Sequence, residues 1–467
     1  YLDAIGSLPS VADTRAFLSS PRPDKRQRLI DELLGLSGDP ARDRFNDRYA
    51  AWWTLKWSDL IRNSSNKLGE QGMWALHNWI RESFRTNKPF DRFVTELVTA
   101  KGSIYSSGPA NYFRINGNAN DLTESTAQLF LGIRLECAKC HHHPFEKWSQ
   151  ADYFAFAGFF TGLKRKSLPG GNQALLVTDG SDLKHARSGE LVPARALGAT
   201  EPADFTRVSD RREVLADWMT SAENPFFARA IANRLWAHHF GRGLVEPIDD
   251  LRETNPAVNE PLLAALAKHL VKAKFDLRTF TRTLLGSRLY QLSSVARPEN
   301  NDDLQNFSHA IPKALPAEVL LDAICQVTGV AEKFNGWPRG YRAIQVWDNR
   351  MPSYFFRIFG RPQRVSVCEC ERGNEPSIAQ ALHLMNSPES FYKLRHRDGR
   401  AARLARSKLT SEQVIDELFL ATLSRLATDE ERKLMLVAFR ETTGVRRAAV
   451  EDVLWTLLNT KEFLYNH

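Results

Sequence analysis

Five residues constrain this chain more than any others: Cys137-Ala138-Lys139-Cys140-His141. Two thiols separated by two residues and followed at once by an imidazole give the spacing of covalent haem attachment. The thiols add to the two porphyrin vinyl groups, and the histidine lies under the iron as proximal ligand. With only five cysteines in 467 residues, the adjacency is not a by-product of a cysteine-rich composition. Other readings stay open. Cys368 and Cys370 could complete a four-cysteine zinc site with the same two thiols, although C-x-C is tighter than the usual zinc-knuckle pair and neither pair sits in a Gly-rich turn. A thioredoxin-like pair lacks a surrounding βαβ pattern. Two purely structural thiols are the remaining option.

A chain of this length can bury two or three sizeable cores. Its hydrophobic and charged fractions, 43% and 25%, are those of a globular protein. No apolar run reaches the ~20 residues of a membrane span. The net charge of +8 does not point to nucleic acid, because bases alternate with acids, as in Asp429-Glu430-Glu431-Arg432-Lys433. Such mixing marks solvated helix faces, and no nucleic-acid-binding module is present. The chain begins mid-pattern at Tyr1-Leu2-Asp3, which reads as a processed or trimmed start.

The periodicity is helical almost throughout. Ser10 caps a first helix, Lys25–Leu36 a second, and Trp52, Trp53 and Trp57 form an aromatic stripe that reads as a core face, part of which could wall a haem. Residues 73–98 are helical with a break at Asn87-Lys88-Pro89, 101–119 a loop, 121–131 and 146–160 helices flanking the C-x-x-C-H stretch. Residues 164–210 change character. Gly170-Gly171 and the β-like run 174–178 read as a small hairpin insertion or linker. Helices resume at 211–240, 262–270, 277–292, 317–327, 377–385, 411–426 and 448–464, and 364–370 reads as a short strand. The expected fold is therefore mainly α. Two helical domains, 1–165 with the haem and 209–467, pack around the covalent cofactor, and 166–208 forms the β-like linker.

Several longer stretches carry a resemblance. Ala127-Gln128-Leu129-Phe130-Leu131-Gly132-Ile133 through Cys137–His141, His143-Pro144-Phe145-Glu146, Trp148, Gln150, Asp152-Tyr153 and Phe159-Phe160, with Asn87–Val94 upstream, resembles the cytochrome-associated domain of large planctomycete-type cytochrome c proteins. Asn224–Arg229, Asn233–Trp236, His239–Val245, Ser287–Ser294 and Cys368–Arg372 are similar to the partner domain that follows it in those proteins. The resemblance implies an exported, periplasmic protein with one haem c. It implies no settled reaction; the family's setting suggests a glycan as one substrate class. Family members often carry a separate N-terminal cytochrome domain; this sequence reads either as one from which that domain was cut away or as a shorter member.

Around such a haem, the sixth iron position needs a candidate. His142 should point away. His143, restrained by Pro144, could orient a propionate or bind substrate. His238 and His239 point about 100° apart on one helix; the inward one is a candidate distal ligand or catalytic acid/base, or simply a hydrogen-bonded core histidine. Met351 and Met385 are the thioether candidates, each more often a core filler. On a strand, Cys368 and Cys370 would face one side and make a metal-binding pair, a disulfide, a thiolate ligand to the iron, or a packed apolar pair. Arg364 and Arg372 have the guanidinium shape to pair haem propionates. Two functional classes follow: an oxidoreductase acting on a small molecule or glycan, or an electron carrier docking a redox partner or cytochrome c domain. The four-cysteine reading would give a zinc-stapled scaffold.

Overall fold

Short capping signals set most helix starts. Ser10 with Asp13, Ser149 with Asp152, Ser377 with Gln380 and Thr410 with Gln413 each form a reciprocal capping box, opening helices Val11–Ser19, Gln150–Ala157, Ile378–Asn386 and Ser411–Thr422. The computed structural model describes residues 1–373, 375–441 and 445–467 and is mainly helical, with three small sheets. Among the described residues, no helix is long and apolar enough to cross a membrane.

The β-like segment is a hairpin. Leu163–Ser167 pairs antiparallel with Gln173–Val177, in the register Leu163↔Val177, and Gly102–Ser103 adds to its far edge. Residues 101–119 are thus more ordered than a plain loop, and Asn111 pins them by donating to the Ile104 and Gly108 carbonyls at 2.6 and 3.0 Å. Leu183–Lys184 pairs with Leu191–Val192, and Lys313–Ala314 with Tyr465–Asn466.

Buried residues run as one continuous cluster from Ala4 to Phe463. Helices of the first part pack on helices of the second: Lys25–Leu34 against Leu277–Gly286, Phe90–Val98 against Arg211–Thr220, and Val11–Ser19 against Ser411–Thr422. Trp52, Trp53 and Trp57 are all buried on the Asn46–Leu60 helix. Trp57 packs on Phe90 at 4.8 Å between ring centres, and Trp53 on His238 at 5.0 Å. The stripe is core.

Residues 364–370 form no strand. Glu371 accepts the backbone N–H groups of Val365 and Ser366 at 3.1 and 3.2 Å, and Ser366 Oγ accepts that of Cys368 at 3.1 Å. Donors that a neighbouring strand would use are satisfied inside the loop, which closes in a 3-10 turn at Glu369–Glu371.

Candidate functional site

The C-x-x-C-H stretch begins where the Ala127–Leu131 turn ends at Gly132. Gly132 has φ +67°, and a Cβ there would lie 2.3 Å from Leu251 Cδ1; its carbonyl accepts the Leu251 N–H at 2.8 Å. Only glycine allows this approach. The chain then makes a 3-10 turn over Glu136–Lys139, with the Cys140 N–H donating to the Cys137 carbonyl at 3.3 Å. Ala138 is buried beneath it, and Gln150 donates to the Lys139 carbonyl at 2.8 Å from the following helix. Cys137 and Cys140 stand on the outer side as exposed free thiols.

His141 is exposed too, and its Nδ1 lies 2.6 Å from the His142 carbonyl oxygen. A carbonyl only accepts, so Nδ1 carries the proton, which leaves Nε2 as the position of the lone pair in the neutral ring. That tautomer and orientation suit an imidazole that ligates a metal through Nε2. His142 is exposed, as expected. His143 is fixed by its N–H to the Trp148 carbonyl at 2.9 Å, and its Nδ1 accepts the Phe145 N–H at 3.3 Å. It lines a cavity of about 60 Å³ with Trp148, Phe226 and Arg252. This segment lies on the seam between the two parts. Glu146 accepts the Glu253 N–H at 2.8 Å, Thr254 donates to the Phe145 carbonyl at 3.0 Å, and Lys147 pairs with Glu253 at 2.5 Å. These ties hold 143–148 as a loop, so the next helix starts only at Gln150.

The residues expected to complete a haem pocket lie elsewhere. Phe226, at the wall of the His143 cavity, immediately precedes the Phe227–Phe240 helix, whose last turn carries His238 and His239. At 1.5 Å per residue the two ends are about 18 Å apart. The helix therefore places both histidines about 18 Å along from the end that borders the His143 cavity. There His238 Nε2 donates to the Asp3 carbonyl at 2.9 Å. His239, 2% exposed, has no partner for either ring nitrogen among the described residues. Burial pushes His239 down to about 3 and His238 well below its ordinary value. Asp3 beside them accepts Tyr290 Oη and Lys313 Nζ, each at 2.6 Å. Burial alone would raise the Asp3 carboxyl, but the Lys313 ammonium, His238 and His239 together outweigh it and hold it well below the carboxylate range. Asp3, Tyr290, Lys313 and His239 line a cavity of about 290 Å³. Sequence reading found the histidines and missed Asp3, Tyr290 and Lys313 around them, which come from distant stretches with no local signal.

Arg364 and Arg372 are not free for propionates. Arg364 is buried, paired with Asp59 at 2.9 Å and donating to the Asn63 and Trp347 carbonyls at 2.6 and 2.7 Å. Arg372 bridges Asp59 at 2.6 Å and Glu318 at 2.7 Å, and Glu318 also holds Arg361 at 3.0 Å. Internal carboxylates take the guanidinium faces that a propionate would need.

Cys368 and Cys370 form a disulfide with each other. Among the described residues, no three His, Cys, Asp or Glu side chains gather closely enough to hold a metal ion. The four-cysteine cluster is therefore not assembled, and neither sulfur is available as an iron or zinc ligand while the pair is oxidised. The disulfide lines a cavity of about 340 Å³ with Lys56, Asp59, Arg234, Asp249 and Arg372. Met351 lies on the wall of a cleft of about 1100 Å³ lined by Trp74, Trp337, Trp347 and Tyr354; no residue of the 127–160 segment lines it. Met385 is exposed.

With this geometry in place, comparison with known families defines the class. Residues 1–165 match the PSCyt2 family, described as a protein of unknown function (DUF1549), and residues 211–439 match PSD1, described as a protein of unknown function (DUF1553). The chain belongs to this planctomycete cytochrome c family pair, with its two domains in that order. No curated protein and no solved structure matches it.

Proposed function

We propose that the chain is an exported c-type haem protein, with one haem joined to Cys137 and Cys140 and His141 as proximal ligand. The observation that carries this reading is the donor set: two exposed, unpaired thiols on one turn, next to an imidazole whose Nδ1 is held by a carbonyl. Bound there, a haem supplies a one-electron ferric/ferrous couple. The chain's own part is to fix the turn from below through Ala138 and Gln150, and to orient His141. The cavity lined by His143 beside this turn, about 60 Å³, is far smaller than a porphyrin. A group held at this turn is open to solvent, which favours electron exchange with a redox partner or cytochrome c domain over chemistry in a closed chamber. Attachment of this kind is made outside the cytoplasm, so the proposal includes export to the periplasm or beyond.

One observation favours the oxidoreductase reading as the second. The cleft of about 1100 Å³ is lined by three indoles, with Trp337 and Trp347 at 3.7 Å and Trp74 and Trp347 at 4.3 Å between ring centres. Flat aromatic faces beside Asp348 and Glu332 suit a sugar-ring substrate such as a glycan. The test is expression in a host that matures haem c, followed by a pyridine haemochrome and mass mapping of the 135–147 peptide. A c-type spectrum with one haem on that peptide is expected. Stoichiometric zinc without a Soret band would reject the haem reading.

A further inference from the structure

We propose that Cys368–Cys370 is a thiol–disulfide exchange site that accepts two electrons from an external dithiol, separately from the haem turn. The loop around it does not need the bond. Glu371 holds Val365 and Ser366, Ser366 holds the Cys368 N–H, Glu369 pairs with Arg234 at 2.8 Å, and Arg372 is anchored on Asp59 and Glu318. A cross-link spanning one intervening residue also closes the shortest loop of its kind, where the entropy removed from the unfolded chain is least. A stapling role thus explains little.

Access fits exchange. Cys370 is exposed, and both cysteines line the cavity of about 340 Å³. Cys368 is the more enclosed, and its Sγ accepts the Cys370 N–H at 3.1 Å. Lys56, Arg234 and Arg372 line the same cavity, together with the carboxylates of Asp59, Glu246, Asp249, Glu369 and Glu371. An incoming thiolate attacks Cys370 Sγ, the S–S bond breaks, and Cys368 leaves as a thiolate on that N–H. The second thiol of the donor then attacks the mixed disulfide and releases Cys370. The donor dithiol is oxidised to a disulfide, and two electrons pass to the Cys368–Cys370 pair together with two protons. Cys325 is a poor internal rival, because burial pushes its thiol up to about 11.

The experiment equilibrates the native, full-length protein in a series of dithiothreitol and oxidised dithiothreitol ratios, then adds N-ethylmaleimide without denaturant. Mapping the Cys368–Cys370 peptide keeps this readout apart from Cys137 and Cys140. The peptide should pass reversibly from unlabelled to doubly labelled, with no shift of the unfolding midpoint. In the Cys368→Ser variant, Cys370 should accumulate a mixed disulfide with glutathione; the Cys370→Ser variant should lose that adduct. Labelling only after denaturation, a fall in the midpoint on reduction, or two free thiols in the untreated protein would each overturn the proposal.

Discussion

Replacing Glu318 with Gln should be among the most damaging single changes in the molecule, although it alters no volume. Glu318 is 0% exposed and lies between Arg361 and Arg372. The network holds three guanidiniums, Arg361, Arg364 and Arg372, against two carboxylates, Asp59 and Glu318. Removing Glu318 leaves three cations facing one anion, and uncompensated buried charge of this kind costs about 3–5 kcal/mol. Burial alone would raise the Glu318 carboxyl, but Arg372 and Arg361 together outweigh it and hold it below its ordinary value. Because the folded value is the lower one, this stability is present above pH ~4.5 and is lost as pH falls toward 2. For 467 residues unfolding as one unit, a loss of 3–5 kcal/mol lowers Tm by about 3–5 °C. Removing Arg372 instead, as Met, leaves two cations and two anions and should cost less. Urea unfolding of both variants at pH 7, with absorption spectra of the haem-loaded forms, decides the point. Unchanged stability with altered haem absorption would refute the internal-network assignment and return both arginines to the propionates.

Three further outcomes are expected. His239 and His77 are each pushed down to about 3 by burial, so the unfolded chain binds more protons than the folded one between pH 6.5 and 3. The contribution of these two rings should be level above pH 6.5 and fall by about 2 kcal/mol per ring at pH 5; a His239→Phe variant that keeps the full slope in urea titrations would contradict this. Cys140→Ser changes an exposed side chain, so it should leave the unfolding midpoint within about 0.5 kcal/mol of the parent. It should also weaken covalent haem retention, read by haem staining after denaturing electrophoresis. Gly132→Ala should cost about 1–3 kcal/mol, because it combines a left-handed residue with a Cβ inside Leu251; a neutral result in denaturant titration would argue against that close approach.

Much of the scaffold was legible because its signals are local. A Ser or Thr followed three residues later by Asp or Gln marks a helix start whatever surrounds it, and the Asn46–Leu60 stripe reads as core from spacing alone. The C-x-x-C-H spacing is likewise local, whereas the 3-10 turn that carries it, over Glu136–Lys139, has no signal of its own in the sequence reading. What failed was long-range pairing. Arg364 and Arg372 find Asp59 more than 300 positions away, and nothing near an arginine in the sequence names its carboxylate. The misread strand at 364–370 came from alternating Val365 and Val367, and Glu371 overrode that pattern by taking two backbone donors. His238 and His239 are buried about 18 Å along their helix from the end that borders the His143 cavity, a placement that helix length sets and that their own residue types do not signal.

The two sulfur sites also differ in the electrons they can handle, and this separates their roles. A haem on the Cys137 turn passes one electron at a time, whereas opening Cys368–Cys370 takes two electrons and two protons. Direct exchange between them would demand a half-reduced sulfur pair. The chain does connect the regions mechanically: Asp249 lines the disulfide cavity and is held by Gln128 at 2.7 Å and by Arg134, three residues before Cys137. A tie of that kind can hold the two regions in register, but it offers no path for a proton-coupled pair of electrons. On these two proposals the turn would serve a one-electron partner and the loop a dithiol, so dithiol reduction of Cys368–Cys370 should proceed equally in haem-loaded protein and in a Cys140→Ser variant, read by maleimide labelling of the Cys368–Cys370 peptide.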